Sequence, residues 1–208
     1  TMIEVDLTPN RPDCASVRGI AREVGSFAGG PLRPLVDSVT PLSPTIPGYA
    51  VVIEDPELCP RYTARKLRKV TIGSSPQWMQ QRLSAVGMRP HNNIVDITNY
   101  VMLESGQPLH AFDFATLRGS QIVVRRPNPS ETTITTLDGS ERPLDGDTLL
   151  ICDAERPVAV AGVMGGLDTE ITAGTSEILL ESACFYPISI RRTARRLGIP
   201  SEASYRFE

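Results

Sequence analysis

Residues 148–166 have the sequence TLLICDAERPVAVAGVMGG, which joins two short apolar runs to a glycine-rich end. The runs Thr148–Cys152 and Val158–Ala161 have the length and composition of buried β-strands. Charged residues and Pro157 separate the runs, so we expect one strand to end before the next begins. Gly162–Gly166 follows the second run, and glycines at that point predict a loop whose backbone can approach a ligand closely.

Further strands and helices are predicted on both sides of this stretch. The predicted strands are Tyr49–Glu54, Tyr62–Ile72, Ile122–Arg125, Thr132–Leu137 and Ile178–Leu180. Leu137-Asp138-Gly139 is a turn signal and predicts a hairpin tip. Helical spacing of apolar residues predicts helices over 13–28, 75–87, 94–104 and 188–197, the second capped by Ser75-Pro76. Because strands outnumber helices and do not alternate regularly with them, the sequence predicts an α+β fold and disfavours a doubly wound sheet.

A proline-rich connector divides the chain. Prolines at positions 31, 34, 41, 44 and 47 are interspersed with Ser and Thr, a composition that supports neither a helix nor a strand ladder. We therefore predict a linker at the end of a first segment, residues 1–44, and a second unit over residues 45–208. Residue 1 is Thr, and Tyr205–Glu208 show no turn or cap signal, so we interpret the sequence as a piece of a longer chain.

Composition narrows the class of protein. The chain has 208 residues and a net charge of −3, which excludes a uniformly basic domain that grips nucleic acid by bulk charge. Lys66 and Lys69 are the only lysines, so arginine dominates the positive charge. The cluster Arg191–Arg196 predicts either a phosphate-contacting edge or a solvated face with internal salt bridges.

The sequence contains no signal peptide and no run that could span a bilayer. The four cysteines are scattered and form no CxxC motif, so neither a zinc site nor a disulfide framework is indicated. We interpret them as reduced thiols of a cytoplasmic protein with no membrane partner.

His110 is the first candidate for chemistry. It lies in Gly106–Asp113, where a Gly and a Pro before the histidine predict an irregular loop. A neutral imidazole at that place could position or activate a water molecule at pH 7. The alternative is a loop histidine held by Asp113. The second histidine, His91, has no comparable context and is interpreted as a surface residue.

Glu181 is the second candidate, because it follows the apolar run Ile178–Leu180. A carboxylate that emerges from a buried strand is costly unless it is paired or used. The alternatives are a residue that returns to solvent and one with an arginine partner. The Gly162–Gly166 loop likewise either offers N–H groups to a carbonyl or phosphate, or forms a plain turn. It matches neither the Walker A nor the GxGxxG pattern, so nucleotide binding is unsupported.

Other chemistries have weaker support. Ser182 and Cys184 lie in no recognised nucleophile motif, which disfavours covalent catalysis. The spacing of His110, Asp113 and Glu181 matches no metal template.

Several motifs together resemble the beta subunit of bacterial phenylalanyl-tRNA synthetase. They span the chain in order: Asn10–Cys14, Val17–Val24, Val95–Val101, Gly106–Asp113, Gly162–Gly166, Leu179–Ala183, Ala194–Gly198 and Ser201–Glu208. The resemblance implies that residues 1–44 are the tail of a preceding small module plus the linker. It also implies that residues 45–208 are the third and fourth modules, which fold around a β-sandwich with flanking helices, here truncated at the C-terminal end.

In that family the unit is an editing domain, which hydrolyses tyrosine wrongly esterified to tRNA(Phe). The resemblance implies that His110 positions the attacking water or the tRNA terminus and that Glu181 recognises the tyrosine para-hydroxyl. Gly162 and Gly165 would shape the pocket. Ser201, Ala203 and Asn99 would line it, although Ser201 stands where some relatives have threonine.

The resemblance also implies partners and cofactors. The partners are the acylated 3′ end of tRNA(Phe), tyrosine as the editing ligand, and an alpha subunit in a heterotetramer. The fragment would need no cofactor and no metal, whereas ATP and Mg2+ would serve the parent enzyme. The alternative functions are a non-catalytic scaffold module with a degenerate pocket and a stand-alone small-molecule hydrolase.

Overall fold

The computed structural model describes residues 3–33 and 46–208. Over these residues the strands are β1 (Ala50–Ile53), β2 (Arg61–Arg68), β3 (His110–Asp113), β4 (Gln121–Arg125), β5 (Thr133–Thr135), β6 (Glu141–Pro143), β7 (Leu150–Cys152), β8 (Pro157–Val160), β9 (Met164–Gly165) and β10 (Glu177–Cys184). The helices are α1 (Val17–Ala28), α2 (Gln77–Ala85), α3 (Asn93–Ser105), α4 (Pro187–Leu197) and α5 (Glu202–Phe207). Most of the predicted linker, with the boundary near residue 45, lies outside the described residues.

Two sheets contribute to the same hydrophobic core. The first has the strand order β1-β4-β7-β8-β9 and is antiparallel except for the β1–β4 pair. The second has the order β2-β10-β3 and is antiparallel throughout. Ile151 and Val160 of the first sheet, Leu179 of the second and Ile190 of α4 are all buried in this core. The predicted α+β fold, layered around a β-sandwich with flanking helices and preceded by a short helical segment, is confirmed.

The long strand β10 separates two cores because its side chains alternate. Leu179 and Ala183 belong to the large core between the sheets. Ile178 and Leu180 belong to a smaller cluster on the other face. Residues two positions apart in a strand share a face, so Glu181 points toward the large core with Leu179 and Ala183.

Side-chain caps and glycines set the helix limits, and α1 begins at Val17, four residues after the predicted start at residue 13. The Ser16 hydroxyl accepts a hydrogen bond from the Gly19 amide at the start of α1. The Asn92 side chain caps α3, which ends at Gly106 with a φ of 85°. The predicted hairpin tip at Leu137-Asp138-Gly139 is confirmed, since it joins β5 to β6.

Two local predictions are wrong. His110 begins β3 instead of lying in an irregular loop, because it pairs with Glu181 of β10. Ser75 does not cap α2; its hydroxyl bonds to the buried Asp96 carboxylate instead. The helix α5 was not predicted, and Ser201 and Ser204 make a reciprocal capping box at its start.

No helix formed by residues 3–33 or 46–208 is both long and apolar enough to cross a membrane.

Candidate functional site

His110, Glu181 and Tyr62 form a row across the three strands of the second sheet. Glu181 lies directly opposite His110 in the β10–β3 ladder. On the other side, Tyr62 of β2 is opposite Ala183, which makes it a diagonal neighbour of Glu181 on the same face. The Tyr62 hydroxyl donates to Oε2 of Glu181 at 2.9 Å. Three strands therefore bring a carboxyl, an imidazole and a phenol together at the edge of the large core.

Glu181 is a buried carboxyl with little hydrogen bonding. The residue is 7% exposed, and burial raises its pKa to about 7 while the hydrogen bond from Tyr62 acts to lower it. Oε1 accepts no hydrogen bond from residues 3–33 or 46–208. The two alternatives that the sequence left open, a return to solvent and an arginine partner, are both wrong, because the partner is a tyrosine. Glu181 keeps an acceptor oxygen available at the pocket that it lines.

The His110 imidazole is neutral at pH 7, because burial lowers its pKa to about 4. Its ring lies edge-on to Phe112, with 4.5 Å between the ring centroids. Asp113 does not hold it; that carboxylate accepts from the Ala115 amide at 3.0 Å and from the Thr175 hydroxyl at 2.6 Å. A neutral imidazole can donate through one ring nitrogen and accept through the other, which suits the positioning of a water molecule or a ribose hydroxyl.

The glycine-rich loop packs tightly beside these side chains. A Cβ on Gly165 would lie 2.5 Å from Cε1 of His110, so only glycine allows this backbone to rest against the imidazole. Gly162 has a φ of 66°, and a Cβ there would lie 2.9 Å from Ile190. The Gly165 carbonyl accepts from the Leu137 amide, and the Gly166 amide donates to the Val158 carbonyl. The loop is thus a fixed wall of the pocket.

The rest of the pocket is mostly apolar. Residues from β7, β8 and α5 line it together with Glu181, His110 and the glycine loop: Ile151, Ala159, Val160, Ala203 and Phe207. Among residues 3–33 and 46–208, no lysine or arginine and no second carboxylate lines the pocket. A buried acceptor in such surroundings favours a ligand with one polar group at the end of an apolar body.

A groove along α3 adjoins this pocket and shares His110, Gly165 and Ala203 with it. Asn99 of α3 and Ser201 line the groove. The Ser201 hydroxyl donates to the Val163 carbonyl at 3.1 Å and accepts from the Ser204 amide at 3.0 Å, so it ties α5 to the glycine loop. All the site residues predicted from the sequence lie on the two cavities: Asn99, His110, Gly162, Gly165, Glu181, Ser201 and Ala203.

The other candidate chemistries lie elsewhere. Ser182 and Cys184 alternate with Glu181 along β10 and so face away from the pocket. Within residues 3–33 and 46–208, the cluster with metal-ligand geometry consists of Asp13, Cys14 and Glu23, and it includes no pocket residue. Its two carboxylates both pair with the Arg11 guanidinium.

The arginine cluster is partly neutralised within the fold. Arg196 pairs with Asp145 and donates to the Thr148 hydroxyl at 2.6 Å. Arg191 approaches the Glu208 carboxylate at 3.9 Å. The salt-bridge interpretation is confirmed for these two residues, whereas Arg192 lines a surface groove with Arg126.

Sequence reasoning missed Tyr62. It lies in β2 among the charged residues of RYTARKLR, and it is buried although most of its neighbours are exposed. Its relation to Glu181 depends on the register between β2 and β10, which residues far apart in the sequence determine. The available sequence signal was the alternation of Tyr62 and Ala64 with the polar residues Arg61, Thr63 and Arg65.

Comparisons with known proteins show the family of this chain. The family model of the B3/4 domain matches residues 58–208. The chain belongs to the B3/4 domain family. The whole chain is 60% identical to part of the phenylalanine–tRNA ligase beta subunit of Desulfotalea psychrophila and 57% identical to part of that of Moorella thermoacetica. It covers 25% and 26% of those relatives, so it spans about a quarter of their length.

The resemblance predicted from the motifs is therefore confirmed over the full length of this chain. A crystal structure of an N-terminal fragment of the phenylalanyl-tRNA synthetase beta-subunit from Pyrococcus horikoshii is also similar, with a TM-score of 0.49 and 14% identity. That similarity covers 90% of this chain and 58% of the other.

Proposed function

We propose that this chain is the editing domain of a phenylalanine–tRNA ligase beta subunit and hydrolyses tyrosyl-tRNA(Phe). The carrying observation is Glu181, a buried carboxyl with a free oxygen in a mostly apolar pocket. A tyrosine ring would fill the apolar part, and its hydroxyl would donate to Oε1 of Glu181. The proposal assigns residues 1–44 to the preceding module and linker and residues 45–208 to the editing domain.

Discrimination follows from the cost of an unpaired buried acceptor. Phenylalanine would cover the Glu181 carboxylate without supplying a hydrogen bond, which costs roughly 1–3 kcal/mol. A synthetic site selective for phenylalanine has the opposite difficulty, since an apolar pocket rejects an added hydroxyl poorly. A second site that requires the hydroxyl can hydrolyse the tyrosyl ester that the synthetic site fails to reject. The same reasoning predicts that the neutral acid form of Glu181 discriminates less than the carboxylate.

Hydrolysis of an aminoacyl ester needs little chemical machinery, because the ester is already activated. A water molecule held against the face of the ester carbonyl, within reach of its carbon atom, supplies a large part of the rate increase. His110, neutral at pH 7, holds that water or the terminal ribose, and its low pKa makes it a weak base. Gly162, Gly165 and Ala203 shape the wall, Ser201 fixes it through Val163, and Asn99 lines the approach groove. The reaction requires no nucleophilic side chain.

The parent enzyme supplies the remaining functions. The Glu181 pocket contains no basic side chain for phosphates and no second carboxylate for a metal, so its residues do not fit ATP with Mg2+. We assign ATP and Mg2+ to other parts of a ligase that joins this subunit to an alpha subunit in the cytoplasm. The partner of this chain is the acylated 3′ end of tRNA(Phe).

The decisive experiment measures deacylation of tyrosyl-tRNA(Phe) and phenylalanyl-tRNA(Phe) by a ligase whose beta subunit contains this chain. We expect Glu181→Ala to reduce the ratio of the two kcat/KM values by about 5- to 100-fold, the equivalent of one unpaired buried acceptor. Glu177→Ala is the matched control, since Glu177 begins the same strand but pairs with Lys66 outside the pocket.

Two outcomes would contradict parts of the proposal. If Glu181→Ala and the unmodified enzyme clear both esters at the same ratio, the role of Glu181 is wrong. If the unmodified enzyme does not clear tyrosyl-tRNA(Phe), the chain is a scaffold module with a degenerate pocket. Soaking with tyrosine gives an independent measurement, for which we expect density between Glu181 and the Gly162–Gly166 loop.

A further inference from the structure

We propose that Tyr62 is a positioning residue that sets the specificity of the pocket by occupying Oε2 of Glu181, so that Oε1 alone receives the substrate phenol. This inference rests on the proposed function and extends it to a residue that lies behind the pocket. Tyr62 does not line the pocket, whereas Glu181 does. It would therefore act on the substrate only through the carboxyl group.

The sheet geometry fixes the contact between the two side chains. Glu181 lies opposite the small residue Ala64 in β2, and Tyr62 reaches the carboxyl from two positions along the same strand. Tyr62 is 7% exposed and its ring belongs to the large core. Its hydroxyl makes one hydrogen bond to residues 3–33 and 46–208, the 2.9 Å bond to Oε2. A ring packed in this way cannot swing aside, so a substrate phenol meets Oε2 already occupied.

The same contact controls the charge of Glu181. The titratable groups facing the carboxyl are Tyr62 from β2, His110 from β3 and the Cys59 thiol just before β2. None of the three is charged at neutral pH, because burial lowers the pKa of His110 to about 4, raises that of Cys59 to about 12 and raises that of Tyr62 well above its usual value. Burial raises the pKa of Glu181, and the Tyr62 hydrogen bond is the interaction that opposes it.

Loss of that hydroxyl would change two properties together. The carboxyl would have two unpaired oxygens instead of one, and a water molecule entering with either substrate could satisfy one of them. The carboxyl would also take up its proton at higher pH, since a hydrogen bond to the charged form favours that form. A neutral, loosely held acid rejects phenylalanine less strongly, so Tyr62 supports specificity in both ways.

The test is the pH profile of the Tyr62→Phe ligase in the two deacylation assays. We expect the midpoint for tyrosyl-tRNA(Phe), close to pH 7 in the unmodified enzyme, to rise by about half to one unit. At pH 7 we expect the tyrosyl-to-phenylalanyl ratio of kcat/KM to fall by about 5- to 10-fold, which corresponds to the net contribution of one typical hydrogen bond. Part of this loss should be recovered at pH 9.

Tyr49→Phe is the matched control. It removes a tyrosine hydroxyl that donates to the Gln121 carbonyl at 3.3 Å and does not contact Glu181. Thermal unfolding of both variants checks that the ring still packs. A purely structural role for Tyr62 would lower stability and total activity but leave the midpoint and the ratio unchanged, and that result overturns the inference.

The inference and the proposed function fail in different ways. If Glu181→Ala loses discrimination while Tyr62→Phe keeps the unmodified ratio and midpoint, Tyr62 has no positioning role although the editing function holds. If the unmodified ligase does not deacylate tyrosyl-tRNA(Phe), both are overturned.

Discussion

Two buried carboxyl groups in this fold have opposite hydrogen-bonding environments. Asp153, immediately after β7, accepts hydrogen bonds from the backbone amides of Arg118, Glu155 and Arg156. Its side chain is fully buried and lies near the Arg156 guanidinium. Glu181, in the middle of β10, accepts one hydrogen bond from Tyr62 and keeps an oxygen on the pocket. The Asp153 carboxylate joins loops together, whereas the Glu181 carboxyl leaves one oxygen facing the pocket.

The two carboxyl groups differ in the number of hydrogen-bond donors around them, and this number has opposite consequences for stability. A buried carboxylate surrounded by donors stabilises its surroundings, because every donor would otherwise lose its partner. A buried carboxylate with few donors raises the free energy of the folded state, and such groups concentrate at functional sites. The number of donors around each oxygen is therefore more informative than burial alone, since both residues are buried.

Replacing Asp153 by Asn should give the largest effect. The amide keeps one acceptor oxygen but turns its NH2 group toward at least one backbone donor, so we expect the free energy of unfolding to fall by about 3 kcal/mol. Urea denaturation of this chain at pH 7 measures the change. A loss below about 0.5 kcal/mol would show that the three amide bonds to Asp153 contribute little.

Replacing Glu181 by Gln should raise the free energy of unfolding at high pH, whereas Asp153→Asn lowers it. A carboxyl whose pKa is raised on folding, here from 4.5 to about 7, destabilises the fold increasingly as the pH rises between those values. A glutamine can still accept from Tyr62 and does not ionise, so we expect a gain of about 2 kcal/mol at pH 8 that disappears near pH 4.5.

Denaturation at both pH values tests this prediction. Glu177→Gln is its control, since Glu177 pairs with Lys66 at 2.7 Å near the surface. Equal stability of Glu181→Gln and the unmodified chain at pH 8 would mean that Glu181 carries no penalty for its charge.

The sequence predicted the elements of this fold better than their extents. Apolar runs located β4, β7 and β8 within two residues of their observed limits. The run Ile178–Leu180 predicted only part of β10, because Glu181 and Ser182 interrupt the apolar pattern. Those polar residues stay in the strand because β2 and β3 pair with it from both sides. Pairing between distant segments is the information that a local pattern does not contain.

The candidate site shows the same difference between what local motifs predict and what pairing of distant segments determines. The family motifs predicted His110, Glu181 and five further residues, all of which lie on the pocket or the adjoining groove, and their roles stay predictions. They did not predict Tyr62, which is 119 residues from Glu181 in the sequence and donates a hydrogen bond to it. They also assigned Ser201 to the pocket wall without its bonds to Val163 and Ser204. Motifs identify residue types, whereas hydrogen-bond partners depend on register and packing.

Replacing Ser201 should give the smallest effect. It tests whether a polar residue on the cavity wall behaves like the well-bonded Asp153 or like the sparsely bonded Glu181. Its hydroxyl has partners on both sides, so by the comparison above it should behave like Asp153 and unlike Glu181. We expect Ser201→Ala to lower the free energy of unfolding by about 1 kcal/mol, the usual cost of a lost helix cap. The tyrosyl-to-phenylalanyl deacylation ratio should stay within about twofold, since such a change is below 0.5 kcal/mol. Ser201→Thr keeps the hydroxyl and should restore the stability. A changed ratio at unchanged stability would place the hydroxyl on the substrate, because a group that only caps α5 and holds Val163 cannot affect discrimination without loosening the fold.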